Sequence, residues 1–551
     1  MSTETKASDL FLQCLAEEGV TTIYGVPGEE NADVMISLLD SPIEFVICRH
    51  EQAAAFMAEV YGRLTGHPGV CLATLGPGAT NLVTGVANGN FDRAPVVAVT
   101  GQASTYRLHK ESHQNMDVVG MFQPITKWNT RISHPTNIPE VVQKAFRLAA
   151  AEKPGATHIE LPEDVAKLTT SRPVLARRPT TRRPAPDAKA VAEAMELIRA
   201  ATTPIILAGN GCVRTRASHE LHTLVEKTGI YSAQTFMGKG ALSDKNDRSL
   251  YAAGLGSRDH VSRAFEEADL VLAVGYDMIE WPPDRWNIGD ETRIVHIDVE
   301  PAEVDACYQT DVEIVGDVAS TLAEINSRLG PEHTKDTPSF AQLRDQVTRE
   351  LHEHDHDSGF PMKPQRILSD LRSVMGEHDI LISDVGAHKM WVARHYSVYH
   401  PATCIISNGF CSMGIALPGA IAAKRTFPER NVVGLCGDGG FLMNVQDLAT
   451  AVQYGIPATI LIWEDSTYGL IGWKQQAGFG KTAFTEFKNP DLIKLSESFG
   501  AQAIRVESPD ELKPALSKAL GEKKRPSVVI VPVDYRENMK LTNRLGELLG
   551  H

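Results

Sequence analysis

The sequence lacks every short cysteine spacing that would hold zinc or run dithiol chemistry. Its eight cysteines, Cys48, Cys71, Cys307 and Cys411 among them, form no CxxC pair, and most sit inside apolar runs, as buried thiols of a reducing cytoplasm do. It also lacks an apolar run long enough to cross a bilayer, and Met1-Ser2-Thr3-Glu4 has neither the basic nor the apolar region of a signal peptide. The expectation is a soluble cytoplasmic protein with no membrane partner. Positive charge is scarce: 54 Lys and Arg against 69 Asp and Glu leave a net charge of −15. A nucleic-acid surface needs clustered cations. The one basic cluster, Arg177-Arg178 with Arg182-Arg183, is interleaved with Pro and Thr and has no aromatic residue to stack a base. It reads as a solvated linker, and nucleic acid is excluded as a partner.

The 551 residues, 42% hydrophobic and 22% charged, suffice for about three domains. Strand-like runs alternate with helix-length amphipathic stretches, as in Thr21 to Val26, Glu44 to Cys48, Val70 to Thr74, Pro95 to Thr100, Pro204 to Ala208, Leu270 to Gly275, Arg293 to Val299, Asp379 to Ser383, Asn431 to Cys436, Ala458 to Trp463 and Ser527 to Val533. This alternation predicts α/β domains built on parallel sheets. Two polar stretches, Ser171 to Asp187 and about Gly330 to Pro364, read as linkers, which places the domains at 1–170, 188–335 and 362–551, the last with a C-terminal tail. The run His352-Glu353-His354-Asp355-His356 alternates with acids and does not converge on one face, so it reads as linker and not as a metal site.

The most informative motif is Gly437-Asp438-Gly439-Gly440 at the end of one apolar run, answered by Glu464-Asp465 at the end of the next. Acids at neighbouring strand ends can share one octahedral Mg²⁺, and glycines let the backbone approach diphosphate oxygens, with the stretch carrying Val445, Leu448, Ala449 and Val452 offering its helix N-terminus. Taken alone, the triplet would equally mark a strand-to-helix turn with a surface Asp. In the first domain Glu51 follows a strand end and opens a helix; it reads either as a helix-dipole carboxylate or as a buried acid facing a cofactor ring nitrogen. The turns Gly25 to Asn31 and Leu75 to Asn81 crowd the same edge.

Taken in order, Tyr24-Gly25-Val26-Pro27-Gly28, Arg49-His50-Glu51, Gly76-Pro77-Gly78-Ala79-Thr80-Asn81, Ser383-Asp384-Val385-Gly386 and Gly437-Asp438-Gly439 resemble the thiamine-diphosphate enzymes of the acetolactate synthase group, over about residues 8 to 540. The resemblance implies a pyrimidine-binding domain, a central domain of dinucleotide-fold type and a diphosphate-binding domain. Glu280-Trp281-Pro282-Pro283, Met390 to Arg394, Ser407-Asn408-Gly409 and Val533 to Asn538 are similar to the catabolic, flavin-independent branch. The stretch Ala252 to His260 departs from the Gly-Met-His-Gly run of flavin-binding relatives, so no FAD is expected.

What this resemblance implies for the site follows residue by residue. Glu51 would hydrogen-bond the aminopyrimidine ring and make the cofactor its own base, and Gly28 would line the same pocket. The Cys411 carbonyl would receive the amino group, and Met413 would wedge the cofactor into a bent shape or serve as plain core. Gly386, Ala387, His388, Gly439 and Gly440 would meet the diphosphate, with Ala387 in place of a Gln common in biosynthetic relatives. Asp438, Asp465 and the Thr467 carbonyl would hold Mg²⁺. Gln114 would stand near the reacting carbons, and Lys127 and Arg394 are lesser candidates for acceptor recognition. The implied reaction joins two pyruvates into 2-acetolactate with loss of CO₂, in a homodimer or homotetramer whose sites lie between chains.

The alternatives are a biosynthetic acetohydroxyacid synthase, a tartronate-semialdehyde synthase (whose branch carries an apolar residue where Glu51 stands) and a plain 2-oxoacid decarboxylase. From another class comes a nucleotide-binding protein built on Gly209-Asn210-Gly211, although the central domain lacks a full GxGxxG with a ribose-binding acid.

Overall fold

A computed structural model describes residues 4–178, 182–255, 259–287, 292–538 and 541. The C-terminal tail, the start of the chain at Met1, the middle of the basic linker and part of the 252–260 stretch therefore lie outside the described residues. Three six-stranded sheets follow one another along the chain, and every strand pair within them is parallel. All eleven strand-like runs of the sequence are strands, with ends shifted by at most about two residues.

In the first sheet the spatial order is Glu44–Ile47, Thr22–Gly25, Gly69–Ala73, Val96–Gln102, Ala156–Pro162, Trp128–Arg131. In the third it is Cys404–Ile406, Ile380–Ser383, Val432–Gly437, Thr459–Glu464, Ser527–Pro532, Gln502–Arg505. Counted along the chain, both read second, first, third, fourth, sixth, fifth. The first and third domains thus share one topology, although no sequence repeat announces it. The central sheet runs Ser249–Ala252, Tyr231–Gln234, Pro204–Ala208, Leu270–Val274, Arg293–Asp298, Val312–Val315, the strand order of dinucleotide-binding folds.

The interior strands are buried on both faces because helices cover each side, which is why they read as unbroken apolar runs such as Val432 to Cys436. One apolar cluster unites the first and third domains: Phe56, Met57 and Val60 on the helix Glu51–Thr65 pack with Leu417, Ala420 and Ile421 on the helix Ala416–Thr426 and with Ile382 and Ile462 of the third sheet. The two domains therefore dock helix to helix and leave the carboxyl edges of their sheets for other work.

Two linker expectations change. The polar stretch before residue 364 contains the helix Pro338–His352, whose Phe340, Leu343, Val347 and Leu351 are buried against the central domain. Its four apolar residues fall at spacings of three and four, enough for one buried stripe in an otherwise polar segment. In the basic linker, Arg183 is held by Glu152 at 2.8 Å and Asp317 at 2.9 Å, so it ties domains together and is not free in solvent. His354 of the histidine run faces Glu537 and Asp357, and among the described residues no group of three or more His, Cys, Asp and Glu is placed to hold a metal ion. Seven of the eight cysteines other than Cys411 divide into six buried ones and the half-buried Cys307, and all eight are free thiols.

Phe340 is buried, with its ring edge-on to Tyr231 at 6.0 Å. Replacing it by Ala is expected to cost about 3–5 kcal/mol of unfolding free energy, read from the central-domain transition in urea. A loss under about 1 kcal/mol would show that this helix is not part of the central core.

Candidate active site

Asp438 is the first residue of the short helix Asp438–Met443, directly after the strand Val432–Gly437, and is 1% exposed. Its Oδ1 accepts the Gly439 N–H at 2.8 Å, and its Oδ2 accepts Asp465 N–H at 3.1 Å, Ser466 N–H at 2.7 Å and the Asn489 amide at 2.7 Å. Asp465 stands at the end of the adjacent strand Thr459–Glu464, as the pairing of Gly437 with Trp463 requires. Burial, then the negative charge of Asp438, pushes the Asp465 carboxyl up to about 7. Two acids so placed repel each other until a cation comes between them. Glu464, the other member of the acidic pair, turns away to Arg505.

The phosphate side of the site is tightly packed. A Cβ on Gly439 would fall 2.9 Å from the Tyr468 ring, on Gly440 3.2 Å from the Asp384 carboxylate, and on Gly386 2.8 Å from the His388 imidazole. Gly386 caps the helix Ala387–His395, so Ala387 and His388 form its first turn. His388 is buried and held neutral, its pKa lowered to about 3 by desolvation. Its Nε2 has no hydrogen-bond partner, and neither does Oδ1 of Asn489 beside Asp438. The helix after the glycines stops at Asn444, whose side chain leaves for the Gly414 carbonyl at 2.7 Å. The segment Val445 to Val452 is consequently separate, and its N-terminus is not the one at the glycines as the sequence suggested.

Cys411 and Met413, both half-buried, ride on the loop after the strand Cys404–Ile406. Cys411 has a left-handed backbone, φ 60°, and Gly414 has φ 94°, a region that Gly enters freely and other residues at a cost. Both ends of the loop are clamped. On one side Asp384 Oδ1 accepts Gly414 N–H at 2.8 Å and Oδ2 accepts Ala416 N–H at 3.1 Å. On the other, the first domain reaches across: Asp92 Oδ1 accepts Gly409 N–H at 2.7 Å, and Asn88 Oδ1 accepts from Ser412 N–H and the Ser407 hydroxyl, each at 3.1 Å. The buried Glu59 carboxyl takes the Asn88 amide at 2.8 Å, and desolvation followed by the Asp92 charge pushes its pKa well above the usual range.

In the first domain Glu51 begins the helix Glu51–Thr65 and is buried, and its Oε2 accepts the Asn81 amide at 2.9 Å. A Cβ on Gly78 would lie 3.3 Å from Glu51 Oε1 and 2.9 Å from Thr74; one on Gly28 would lie 2.4 Å from Thr74; one on Gly76 would lie 2.8 Å from the Gln114 carbonyl. Gly28, Glu51, Gly76 to Asn81 and Gln114 therefore share one edge. Gln114 itself is left-handed, φ 54°. Among the described residues no hydrogen bond or ion pair joins Glu51 to Asp438 or Asp465 within the chain; the neighbouring Arg49 N–H goes instead to Asp447, at 2.9 Å.

Within the chain Lys127 and Arg394 are engaged away from the acid pair. The Lys127 ammonium donates to the Ala151 and Lys153 carbonyls at 2.7 and 2.6 Å, and the buried Arg394 pairs with Asp259. Each neutralises a local backbone or acid need, which spacing in the sequence does not reveal. Asn489 and the Asn88–Asp92 pair were missed: Asn489 lies in the irregular segment Lys488-Asn489-Pro490 with no strand to flag it, and Asn88 and Asp92 sit at the far end of a helix from the glycine turn. Asn81 and Asp384 stood inside recognised motifs without a role.

The central domain's crevice is closed. Cβ atoms on Gly209 and Gly211 would each fall 2.4 Å from Gly275 backbone, and the buried Glu280 carboxylate accepts the Asn210 N–H at 3.1 Å through both oxygens. A side-chain acid thus occupies the helix start where a dinucleotide's pyrophosphate would sit in such a fold.

Three family models match along the chain: the thiamine pyrophosphate enzyme N-terminal TPP binding domain over residues 5–121, the central domain over 191–325 and the C-terminal TPP binding domain over 384–531. Their order and their fit to the three sheets define a thiamine pyrophosphate enzyme. The chain is 36% identical to the acetolactate synthase of Bacillus subtilis (strain 168), across 99% of this chain and 97% of that one. It is also 36% identical to the catabolic acetolactate synthase of Raoultella terrigena, across 98% and 97%, and 34% identical to a probable acetolactate synthase large subunit of Methanocaldococcus jannaschii, across 98% and 94%. The chain belongs to the acetolactate synthase family.

The residues present fit the family's cofactor. A diphosphate with its cation would satisfy the acid pair and the two unpartnered atoms, His388 Nε2 and Asn489 Oδ1. Asn489→Ala is expected to raise the Mg²⁺ concentration needed for half-maximal activity by about 10- to 100-fold, measured by metal titration of chelator-treated protein. An unchanged titration would remove Asn489 from the metal's surroundings.

Proposed function

We propose that the protein is an acetolactate synthase acting on pyruvate: two pyruvates and one proton give 2-acetolactate and CO₂, one carbon–carbon bond breaking at a carboxylate and one forming. The observation that carries this reading is the buried Asp438–Asp465 pair at adjacent strand ends, with Asn489 Oδ1 and His388 Nε2 left unpartnered beside it, in a chain that is homologous to acetolactate synthases over its whole length.

Thiamine diphosphate, when bound, supplies the nucleophilic carbon and the electron sink that pyruvate decarboxylation needs. Asp438, Asp465 and the Thr467 carbonyl would hold Mg²⁺, a hard cation that takes few carboxylates and keeps phosphate oxygens. The backbone at Gly386, Ala387, His388, Gly439 and Gly440 would receive the diphosphate, and the neutral His388 would add no charge there. Glu51, held by Asn81, would hold and release a proton toward the pyrimidine ring. The Cys411 carbonyl would accept from the ring's amino group, Met413 would pack against the cofactor, Gly28 would line the ring pocket, and Gln114 would orient the second pyruvate. The site is completed between two chains, in a dimer or a tetramer; that Glu51 and the acid pair lie in separate domains supports this.

The first domain runs 1–170; the central one extends past the expected 188–335 to take in the helix Pro338–His352, and the third begins near 362. No FAD takes part: Glu280 and the apposed Gly209, Gly211 and Gly275 support this. The eight free thiols support a cytoplasmic location.

Purified protein with pyruvate, thiamine diphosphate and Mg²⁺ is expected to release CO₂ and acetolactate, measured as acetoin after acid treatment. Acetaldehyde without acetolactate removes the carboligase reading, and a strong preference for 2-oxobutyrate as acceptor moves it to the biosynthetic branch. Glu51→Gln is expected to keep the cofactor and lose about 10²–10⁴-fold in turnover; near-normal rates in a cofactor-loaded variant would reject its role in proton exchange.

A further inference from the structure

Among the described residues no N–H or O–H donates to the Cys411 carbonyl, the group assigned above to the amino nitrogen of the cofactor. What aims this carbonyl must act elsewhere on the same peptide group. That group joins Cys411 to Ser412, and in a planar trans peptide the carbonyl points opposite to the N–H. The Ser412 N–H is held by Asn88 Oδ1 at 3.1 Å. Asn88 is fully buried on the helix Pro77–Phe91 of the first domain, 324 residues away along the chain. The peptide it holds follows a left-handed residue, Cys411 with φ 60°, a conformation that persists only where the surroundings fix it.

Asn88 itself has one way to stand. Its amide offers donors on nitrogen and an acceptor on oxygen, and the neighbouring groups decide which faces where. Both oxygens of Glu59, on the helix Glu51–Thr65, accept from Nδ2 at 2.8 Å, and Asp92 Oδ2 accepts from it at 3.3 Å. Carboxyl groups on one side leave the amide oxygen facing the other, where it meets the Ser412 N–H and the Ser407 hydroxyl. A flipped amide would set N–H against N–H. Asp92 Oδ1 holds the loop just before Cys411, through the Gly409 N–H at 2.7 Å and the Phe410 N–H at 3.3 Å. The Cys411 thiol is tied separately, 3.3 Å from the Lys389 ammonium. Thiol and following N–H are both engaged, and the carbonyl between them is left to a ligand.

We propose that Asn88 is a positioning residue for the reaction: oriented by Glu59, it turns the Cys411–Ser412 peptide so that the Cys411 carbonyl faces the aminopyrimidine of the cofactor. This rests on the assignment of that carbonyl to thiamine diphosphate, and it gives the first domain a second role in the site beside that of Glu51. Asn88 acts through the backbone of the third domain.

The test compares the full-length protein with Asn88→Ala and Glu59→Gln, each titrated with thiamine diphosphate in excess Mg²⁺ and assayed for bound cofactor before any rate is taken. Glu59→Gln keeps the side-chain bulk but puts a donor in place of one of the two acceptors, so Asn88 loses its fixed orientation. Circular dichroism of the bound cofactor reads the balance of its amino and imino forms. The expected result is a changed balance in both variants, a kcat lower by about 10²-fold in Asn88→Ala, and a pyruvate KM within about threefold of that of the unaltered protein. A folded Asn88→Ala with the original spectrum, or with its loss confined to KM, overturns the proposal. Should Asn88→Ala fail to fold, judged by thermal unfolding, Glu59→Gln decides by the same spectrum and the same split between kcat and KM. The activity reading fails separately: unaltered protein that makes no acetolactate, while the variants still change the spectrum, removes the carboligase and leaves the positioning role. Unaltered protein that takes up no thiamine diphosphate overturns both.

Discussion

The carboxylate of Asp438 is the constraint on which the third domain's site is built. An acid buried this deeply is tolerated only if its lone pairs are met, and four N–H groups from three separate segments do so: Gly439 at the start of its own helix, Asp465 and Ser466 after the next strand, and Asn489 beyond a surface excursion. Each hydrogen bond to a charged acceptor contributes roughly 1.5–3 kcal/mol. Ser466 adopts a left-handed backbone, φ 57°, which costs about 1–2 kcal/mol. The four bonds outweigh that strain, so the turn after the strand Thr459–Glu464 is folded around the acid. Asp465 is thereby delivered next to Asp438, where its own charge is unwelcome until a cation arrives.

A second buried acid organises the opposite wall. Glu59, Asn88 and Asp92 belong to the first domain, but what they hold is the loop 407–412 of the third. Arg63 joins them, at 3.4 Å from Asp92. Among the described residues no salt bridge reaches Glu59, and burial with the Asp92 charge pushes its carboxyl well above the usual range, which eases the cost of burying two acids beside the one guanidinium of Arg63. The helix Glu51–Thr65 thus does two jobs along its length: it presents Glu51 at its start, and two turns later it fixes the loop that carries Cys411.

What the sequence made legible follows from how each feature is written in it. Interior strands were readable because both faces are buried and the code is simply apolar. The interior strands Ala156–Pro162 and Tyr231–Gln234 were not, since their buried His158, Glu160 and Gln234 are satisfied by Thr100, Gln102, Arg131 and the N–H groups of Gly240 and Leu242, partners that no local pattern shows. Short edge strands such as Gln502–Arg505 and Val312–Val315 were missed because one edge needs no apolar run. Site residues beside glycine turns were found through the turns. Asn489 and the Asn88–Asp92 clamp were not, because they act across a fold at sequence distances of 51 and more than 300 residues.

The topology explains why the site residues fall where they do. In open parallel sheets a ligand crevice opens where neighbouring strands send their connections to opposite faces. In the first domain this point lies between Thr22–Gly25 and Gly69–Ala73, and the loops leaving those strands carry Gly28 and Gly76 to Asn81. In the third it lies between Ile380–Ser383 and Val432–Gly437, and the loops leaving them carry Gly386 to His388 and Asp438 to Gly440. Two equivalent crevices differ in lining: the acid Glu51, bonded to Asn81, with a polar cradle in one, and the buried acid pair Asp438 and Asp465 beside glycines in the other. That division suits a ligand with a heteroaromatic ring at one end and a diphosphate at the other. The central sheet has a third such point, between Pro204–Ala208 and Leu270–Val274. There Glu280 supplies the negative charge internally, with its pKa raised to about 7 by burial and by Asp277. A bound phosphate at that helix start would have to displace an acid that already holds its N–H groups.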